Sequence, residues 1–372
     1  MKKQVRGDFV FLSILLVLIL FGCVMVFSAS YPEAISEKGN LYYFFKKHLT
    51  SVGIGMVGFL VASFFPLKIL KKMSIPLFII AIFLMLLTKT SYGVELNDAK
   101  RWIAVGPSRK FTFMPAEFMK FSAILLSTVW LSRKKYLEDN FLNRVVPMVG
   151  IVVVSTGLIY STEDLSSALT LAICLCGLLA LSGLKLYEFA SLSLLGAGTV
   201  YFAYHKIISG GSFRAKRLLY WKDPFLDARG YGWQTIQSYY AFSLGGILGV
   251  GLGQSKQKFT YIAEAFSDFI FAVIGEELGL VGCVFVLVLF MLFIWRGFKI
   301  TLMQKERFNM LLGLGITLLV GIQALINISV TVGILPNTGI PLPFISYGGT
   351  SIMIFLGMSG LLFNLSKNLQ KE

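Results

Sequence analysis

Charged side chains are scarce in this 372-residue chain, where Asp, Glu, Lys and Arg together make up 14%. Soluble domains average about 25% charged residues. Hydrophobic residues account for 56% of the sequence. They are concentrated in runs of about 20 residues, the length needed to cross a bilayer core of about 30 Å. The composition excludes a soluble globular protein and predicts an all-α polytopic membrane protein.

Cysteine is also scarce, and its four residues all lie in apolar runs: Cys23, Cys174, Cys176 and Cys283. Their spacing matches neither a disulfide framework nor a zinc site. The chain has no Walker motif, no GxSxG and no HExxH. These absences disfavour ATP-driven work and serine or zinc hydrolysis. We expect no metal ligands among the candidate site residues and no nucleic-acid partner.

The apolar runs predict about ten transmembrane helices within one membrane domain, residues 1–372. We interpret the first run as a retained span because it is longer than the apolar region of a signal peptide. The loops are short except for a large outer loop, about residues 206–267, between spans seven and eight. The predicted spans are 9–28, 48–66, 75–90, 114–132, 146–160, 166–183, 187–205, 268–295, 310–334 and 350–366.

The net charge of +15 comes from 34 basic against 19 acidic residues. Four short basic segments fall on one side of a ten-span protein, and short basic loops are typical of the cytoplasmic side. Both termini are then cytoplasmic, and residues 206–267 lie outside. The outer side also carries cations, among them Arg101, Arg214 and Lys216. They indicate either an outer anionic ligand, such as a lipid head group or a pyrophosphate, or ordinary attraction to anionic lipid.

Two carboxylates, Glu264 and Asp268, lie four residues apart where the outer loop meets the eighth span. Asp and Ser are favoured at helix N-caps, so Asp268 after Ser267 has the position of a cap. Paired acids at a membrane surface are equally the arrangement of a general base. The spacing alone leaves both interpretations open.

Three further charges fall inside predicted spans: Lys120, Glu276 and Glu277. Charges in a bilayer need a partner or a wet cavity. Lys120 can pair with Glu117, at i−3 on the same helix, or with Glu277. Either a structural ion pair or a polar cavity below an active site would explain them.

Two irregular segments flank the outer ends of spans. In RWIAVGP, Arg101 could bind a phosphate and Trp102 a sugar face. The segment 333–351 reads GILPNTGIPLPFISYGGTS, with three prolines and four glycines. Non-helical backbone at membrane depth is tolerated where it lines a cavity or packs on protein. We therefore predict that this segment is a re-entrant loop walling a cavity.

These motifs resemble the SEDS family (shape, elongation, division and sporulation) of bacterial peptidoglycan polymerases over essentially the whole chain. The similarity is strongest in RWIAVGP with PAEFMK, GYGWQTIQS, EAFSDFIFAVIGEELG and LPNTGIPLPFISYGG. The run GLGQSKQK is similar to the FtsW and SpoVE branch rather than to RodA. The chain departs from the family at IAEAFSD, where a proline is missing, at STEDLSS and at Met114.

The resemblance implies an inverting glycosyltransferase that polymerises lipid II on the outer leaflet of the cytoplasmic membrane, with Asp268 as the catalytic base. Mg²⁺ or another divalent cation could assist the leaving pyrophosphate. A lipid II flippase, an ion-coupled transporter and a transpeptidase-recruiting scaffold are the alternatives. The implied substrate-binding residues are Glu264, Arg101, Trp102, Lys120, Arg214, Lys216, Gln237, Ser346 and Tyr347.

The resemblance also implies partners: the growing glycan strand, a class B penicillin-binding protein, and proteins of division or sporulation. A partner helix would favour small residues that permit close approach. Gly313, Thr317 and Gly321 follow at i, i+4 and i+8 in the ninth span. This face predicts either a docking site for the transpeptidase or internal packing between spans of this chain.

Overall fold

The computed structural model describes residues 7–96, 99–105, 111–133, 141–183, 213–259, 261–262 and 265–368. Nine of the ten predicted spans coincide with helices in this part of the chain, and the seventh, 187–205, lies outside it. The helices are α1 Phe9–Lys38, α2 Tyr43–Phe64, α3 Leu67–Lys72, α4 Ser74–Leu87, α5 Pro115–Leu131, α6 Phe141–Tyr160, α7 Leu165–Leu181, α8 Phe213–Lys222, α9 Trp233–Gly245, α10 Ile270–Leu302, α11 Arg307–Thr331 and α12 Gly349–Asn368.

Six of these helices are long and apolar enough to cross a membrane, and two shorter apolar helices, α4 and α7, accompany them. The polytopic membrane architecture is thus confirmed. The first helix extends to Lys38, ten residues past its predicted end, because Gly39 with φ 62° terminates it. Pro115 opens α5 at a position where its missing N–H has no helical acceptor.

A small three-stranded antiparallel sheet departs from the all-α prediction. It consists of β1 Gly93–Leu96, β2 Ala99–Val105 and β3 Phe111–Phe113, in the order β1-β2-β3. Trp102 pairs with Val94 across β1 and β2. The sheet lies directly before α5 and carries the RWIAV motif, so this stretch is strand rather than the irregular segment that the sequence predicts.

Two groups of contacts join segments that are far apart in the sequence. In the first group, the Arg296 guanidinium lies 2.7 Å from the Asp8 carboxylate, and the Asp8 N–H donates to Ser366 Oγ over 3.0 Å. In the second, Arg101 donates to the Glu163 carbonyl over 2.9 Å. The N-terminus, the end of α10 and the end of α12, all predicted to be cytoplasmic, therefore meet, whereas Arg101 contacts the turn between α6 and α7.

Helix α10 is broken at Gly279, whose φ of 64° and ψ of −160° are not helical. The turn at this break forms hydrogen bonds with residues 246–259, which make up the re-entrant segment. The carbonyls of Glu276 and Glu277 accept from the N–H groups of Val250 and Gly251, each over 3.0 Å. A side chain at Gly279 would collide with backbone atoms of that segment. These residues lie within the predicted outer loop, and they pack beside a helix turn roughly 10 Å past Ile270.

Candidate active site

Asp268 lies in the turn of residues 265–269 that precedes α10. The helix begins at Ile270, and its N-cap residue is Phe269, with no side-chain cap hydrogen bond. The interpretation of Asp268 as the N-cap is therefore wrong. Its carboxylate instead accepts from Ser267 Oγ over 3.0 Å and is half-buried.

Asn327, fully buried on α11, connects Asp268 to the Pro- and Gly-rich segment. Its amide nitrogen donates to the Asp268 carbonyl over 2.8 Å and to the Ile340 carbonyl over 2.6 Å. Two backbone segments that are 72 positions apart are thereby held by one side chain. The backbone under Asp268 is positioned by the helix bundle rather than by its own turn alone.

The segment between α11 and α12 packs against Asp268, as non-helical backbone does when it is covered by protein. Gly339, with φ 67°, is so close that an added Cβ would lie 3.1 Å from Asp268 Oδ2. Ser166 Oγ on α7 donates to the Thr338 carbonyl. The Tyr347 N–H donates to the Phe266 carbonyl over 2.9 Å. The predicted re-entrant character of this segment fits these contacts.

Lys120 is fully buried, and its ammonium lies 2.8 Å from Glu117 Oε1, which confirms the predicted i−3 pair. The same ammonium donates to Gln323 Oε1 over 2.8 Å. Gln323 in turn donates to the Pro341 carbonyl over 3.0 Å. The ion pair is thus linked to the segment that covers Asp268.

Sequence reasoning missed Gln323 and Asn327, although their spacing carried a signal. Gln323, Asn327 and Thr331 follow at i, i+4 and i+8, so they form a polar stripe on one face of an apolar helix. Polar residues in a membrane helix usually face the protein interior. Gln323 and Asn327 on this stripe contact the Pro- and Gly-rich segment and the backbone of Asp268.

The alternative pairing of Lys120 with Glu277 is wrong. The Glu277 carboxylate lies 2.6 Å from the Lys258 ammonium of the re-entrant segment and accepts from Ser28 Oγ on α1. Glu276 accepts from Ser255 Oγ and, over 2.8 Å, from the Lys256 N–H. Both acids therefore hold the re-entrant segment.

Several predicted substrate residues make local contacts in the structure. Arg101 and Trp102 lie on β2, and Gln237 is buried on α9. Ser346 Oγ accepts from the Leu342 N–H over 2.8 Å. The Tyr347 ring packs on Phe266 with ring centroids 5.2 Å apart, and also on Phe44 and His48.

Three other predicted residues fall outside what the structure describes. Glu264 is not among the described residues, and the side chains of Arg214 and Lys216 on α8 are not described either. Within the described residues, no group of three or more His, Cys, Asp and Glu side chains could hold a metal ion. A divalent cation at this site stays a prediction.

The small-residue face of α11 lies inside the molecule. Thr317 is fully buried, and an added Cβ at Gly313 would lie 2.5 Å from Thr301 Oγ1 of α10. At Gly321 it would lie 3.1 Å from Ile294 of the same helix. The docking interpretation of this face is wrong, because α10 already occupies it.

The fold and the site define a polytopic membrane protein with a half-buried carboxylate at one end of its helix bundle, covered by a Pro- and Gly-rich segment. The family model described as cell cycle protein, for FtsW, RodA and SpoVE, matches residues 9–371. The chain belongs to this family.

Relatives cover nearly the whole chain. The stage V sporulation protein E of Bacillus subtilis is 34% identical over 370 residues, 98% of this chain and 98% of that protein. The probable peptidoglycan glycosyltransferase FtsW of Trichlorobacter lovleyi is 35% identical over 369 residues, 98% and 94% of the two chains. A solved structure from a peptidoglycan synthase complex that coordinates polymerization and crosslinking has the same fold, with a TM-score of 0.80, 22% identity and 99% of each chain covered.

Proposed function

We propose that this chain is a peptidoglycan glycosyltransferase that polymerises lipid II on the outer face of the cytoplasmic membrane. The observation that carries the proposal is Asp268, a half-buried acid in the turn before α10 whose backbone is held by Asn327. The relatives named as FtsW glycosyltransferases support the reaction class. Both division and sporulation are represented among the relatives.

In this mechanism Asp268 is the general base. It takes the proton from the GlcNAc 4-hydroxyl of one lipid-linked substrate as that oxygen attacks the anomeric carbon of the donor sugar. The bond from that carbon to undecaprenyl pyrophosphate breaks on the opposite face, so the anomeric centre is inverted. A positioned base contributes about 10²–10⁴ in rate. Outer cations, with Arg101, Arg214 and Lys216 as candidates, or a divalent ion would neutralise the leaving pyrophosphate.

We further propose that the chain acts beside a class B penicillin-binding protein that crosslinks the strands. The solved structure of the same fold belongs to a complex that joins polymerization to crosslinking. Because the small-residue face of α11 is internal, the partner would bind elsewhere. Proteins of division or sporulation would recruit the pair.

Purified chain in liposomes with fluorescent lipid II tests the proposal, with and without a class B penicillin-binding protein. Polymer on a gel supports the glycosyltransferase. Leaflet exchange without polymer identifies a flippase, and neither activity in either condition identifies a scaffold. Asp223→Asn is the matched control for Asp268→Asn, because Asp223 is an exposed acid whose cap of the turn at Pro224 is kept by Asn.

A further inference from the structure

Two buried oxygens near Asp268 have no hydrogen-bond partner among the described residues: Asn327 Oδ1 and Thr338 Oγ1. More than about 90% of buried polar groups in proteins are paired. Leaving one unpaired costs about 1–3 kcal/mol. Asn327 itself is 1% exposed, so bulk water does not compensate its unpaired oxygen. Such atoms beside a candidate base point to a ligand that supplies the missing donors.

The orientation of the Asn327 amide follows from its neighbours. Its nitrogen faces two carbonyl oxygens, of Asp268 and Ile340, at 2.8 and 2.6 Å. A flipped amide would place its oxygen against both carbonyl oxygens, which is repulsive. The hydrogen bonds therefore decide which amide atom is the nitrogen and which is the oxygen. The unpaired atom is therefore an acceptor.

Thr338 is held beside the same carboxylate by its main chain. Its carbonyl accepts from Ser166 Oγ on α7. The next residue, Gly339, is exposed and adjoins Asp268 Oδ2. The absence of a side chain at Gly339 leaves access to the carboxylate from outside. Asn327 and Thr338 thus approach Asp268 from α11 and from the covering segment.

The chemistry of these three groups selects a hydrogen-bond donor. A carboxylate and an amide oxygen only accept, and a threonine hydroxyl can accept as well as donate. A phosphate would meet acceptors and negative charge here, so it is disfavoured, whereas sugar hydroxyls fit. We propose that Asn327 Oδ1 and Thr338 Oγ1 bind hydroxyl groups of the acceptor sugar, next to the hydroxyl whose proton Asp268 takes. This inference rests on the proposed function, and it places the pyrophosphate away from Asn327.

Thr338→Val tests the proposal, because it keeps the side-chain shape and removes a hydroxyl that has no hydrogen-bond partner among the described residues. Thr317→Val is the matched control. Its hydroxyl is also buried and has no partner in the described part of the chain, but it lies ten residues before Asn327 on α11, about 15 Å along the helix. Both variants should fold normally, since removing an unpaired buried hydroxyl is close to neutral.

Binding of two probes to purified protein gives the readout: lipid II with a shortened prenyl chain, and undecaprenyl pyrophosphate without sugar. Thr338→Val should weaken lipid II binding about 3- to 10-fold, the effect of one hydrogen bond. Binding of the sugar-free probe should not change, and Thr317→Val should bind both probes like the unaltered protein. Unchanged lipid II binding by Thr338→Val, or equal weakening of both probes, overturns the proposal.

This binding assay needs no turnover, so it separates two failures. The unaltered protein could make no polymer and yet bind lipid II through its sugar, with that binding lost in Thr338→Val. This result would contradict the glycosyltransferase proposal and support the sugar site. Polymer formation together with unchanged lipid II binding by Thr338→Val would support the glycosyltransferase proposal and contradict the sugar site.

Discussion

The Lys258 ammonium lies 2.6 Å from Glu277 Oε1, and both side chains are fully buried. Ser28 of α1 donates to the same carboxylate over 2.6 Å to Oε2. This cluster joins α1, the break in α10 and the re-entrant segment. A buried pair is a weak contributor to stability when intact, but removing one partner strands a charge.

We expect Lys258→Met to destabilise the protein because Glu277 would be left without its counter-charge. Breaking a buried pair costs roughly 3–5 kcal/mol. The thermal midpoint in detergent should fall, and Glu277→Gln added to the same variant should restore part of it. Lys256→Met is the control, since Lys256 is exposed and only its N–H bonds Glu276. An equal fall in both lysine variants would contradict the pairing.

Lys120→Met should also lower the thermal midpoint, because Glu117 loses its partner. Here Glu117→Gln should rescue and Glu277→Gln should not, since Glu277 pairs with Lys258. The comparison of the two double variants is the measurement. Rescue by Glu277→Gln alone would show that Lys120 and Glu277 are coupled after all.

Asp268→Asn should leave a folded, membrane-inserted protein whose polymerisation is reduced at least about 100-fold, because Asn cannot take a proton. The thermal midpoint should stay close to that of the unaltered chain, since the Asp268 contact to Asn327 runs through the main chain. Asp223→Asn should polymerise normally. Near-normal polymerisation by Asp268→Asn would show that Asp268 is not the general base.

Single cysteines in a chain whose four own cysteines are replaced by Ala test the orientation. A cysteine at Glu37, at the end of α1, should react with an impermeant thiol reagent in intact cells, after removal of any outer membrane. One at Lys72, at the end of α3, should react only after lysis. Both positions are exposed in the structure. The reverse pattern would place Asp268 in the cytoplasm, away from outer-leaflet lipid II.

Gly313→Leu should unfold or strongly destabilise the protein, because its side chain would enter the space of Thr301 Oγ1, 2.5 Å from an added Cβ. Overpacking a buried contact costs typically about 1–3 kcal/mol. Gly357→Leu is the control, since nothing lies within 4 Å of an added Cβ there. A stable Gly313→Leu variant that loses only its transpeptidase would restore the docking interpretation.

The helices themselves could be predicted from the sequence. A chain in a bilayer must satisfy every backbone group within its own segment, so long apolar runs have little choice but helix. The Lys120–Glu117 pair was predictable for the same reason, because i and i+3 on a helix are neighbours whatever the fold. The motif segments also located Asp268 at the end of a span.

The partner of Glu277 was decided only by the tertiary structure. Lys258 is 19 positions away, and it reaches Glu277 because α10 breaks at Gly279 and accepts the re-entrant segment. Asn327 and Gly339 likewise come together with Asp268 through three separate segments. Local periodicity predicts elements because it depends on neighbouring residues. The candidate site depends on how distant elements pack, and a hydrogen bond between them has no signature in the spacing of either one.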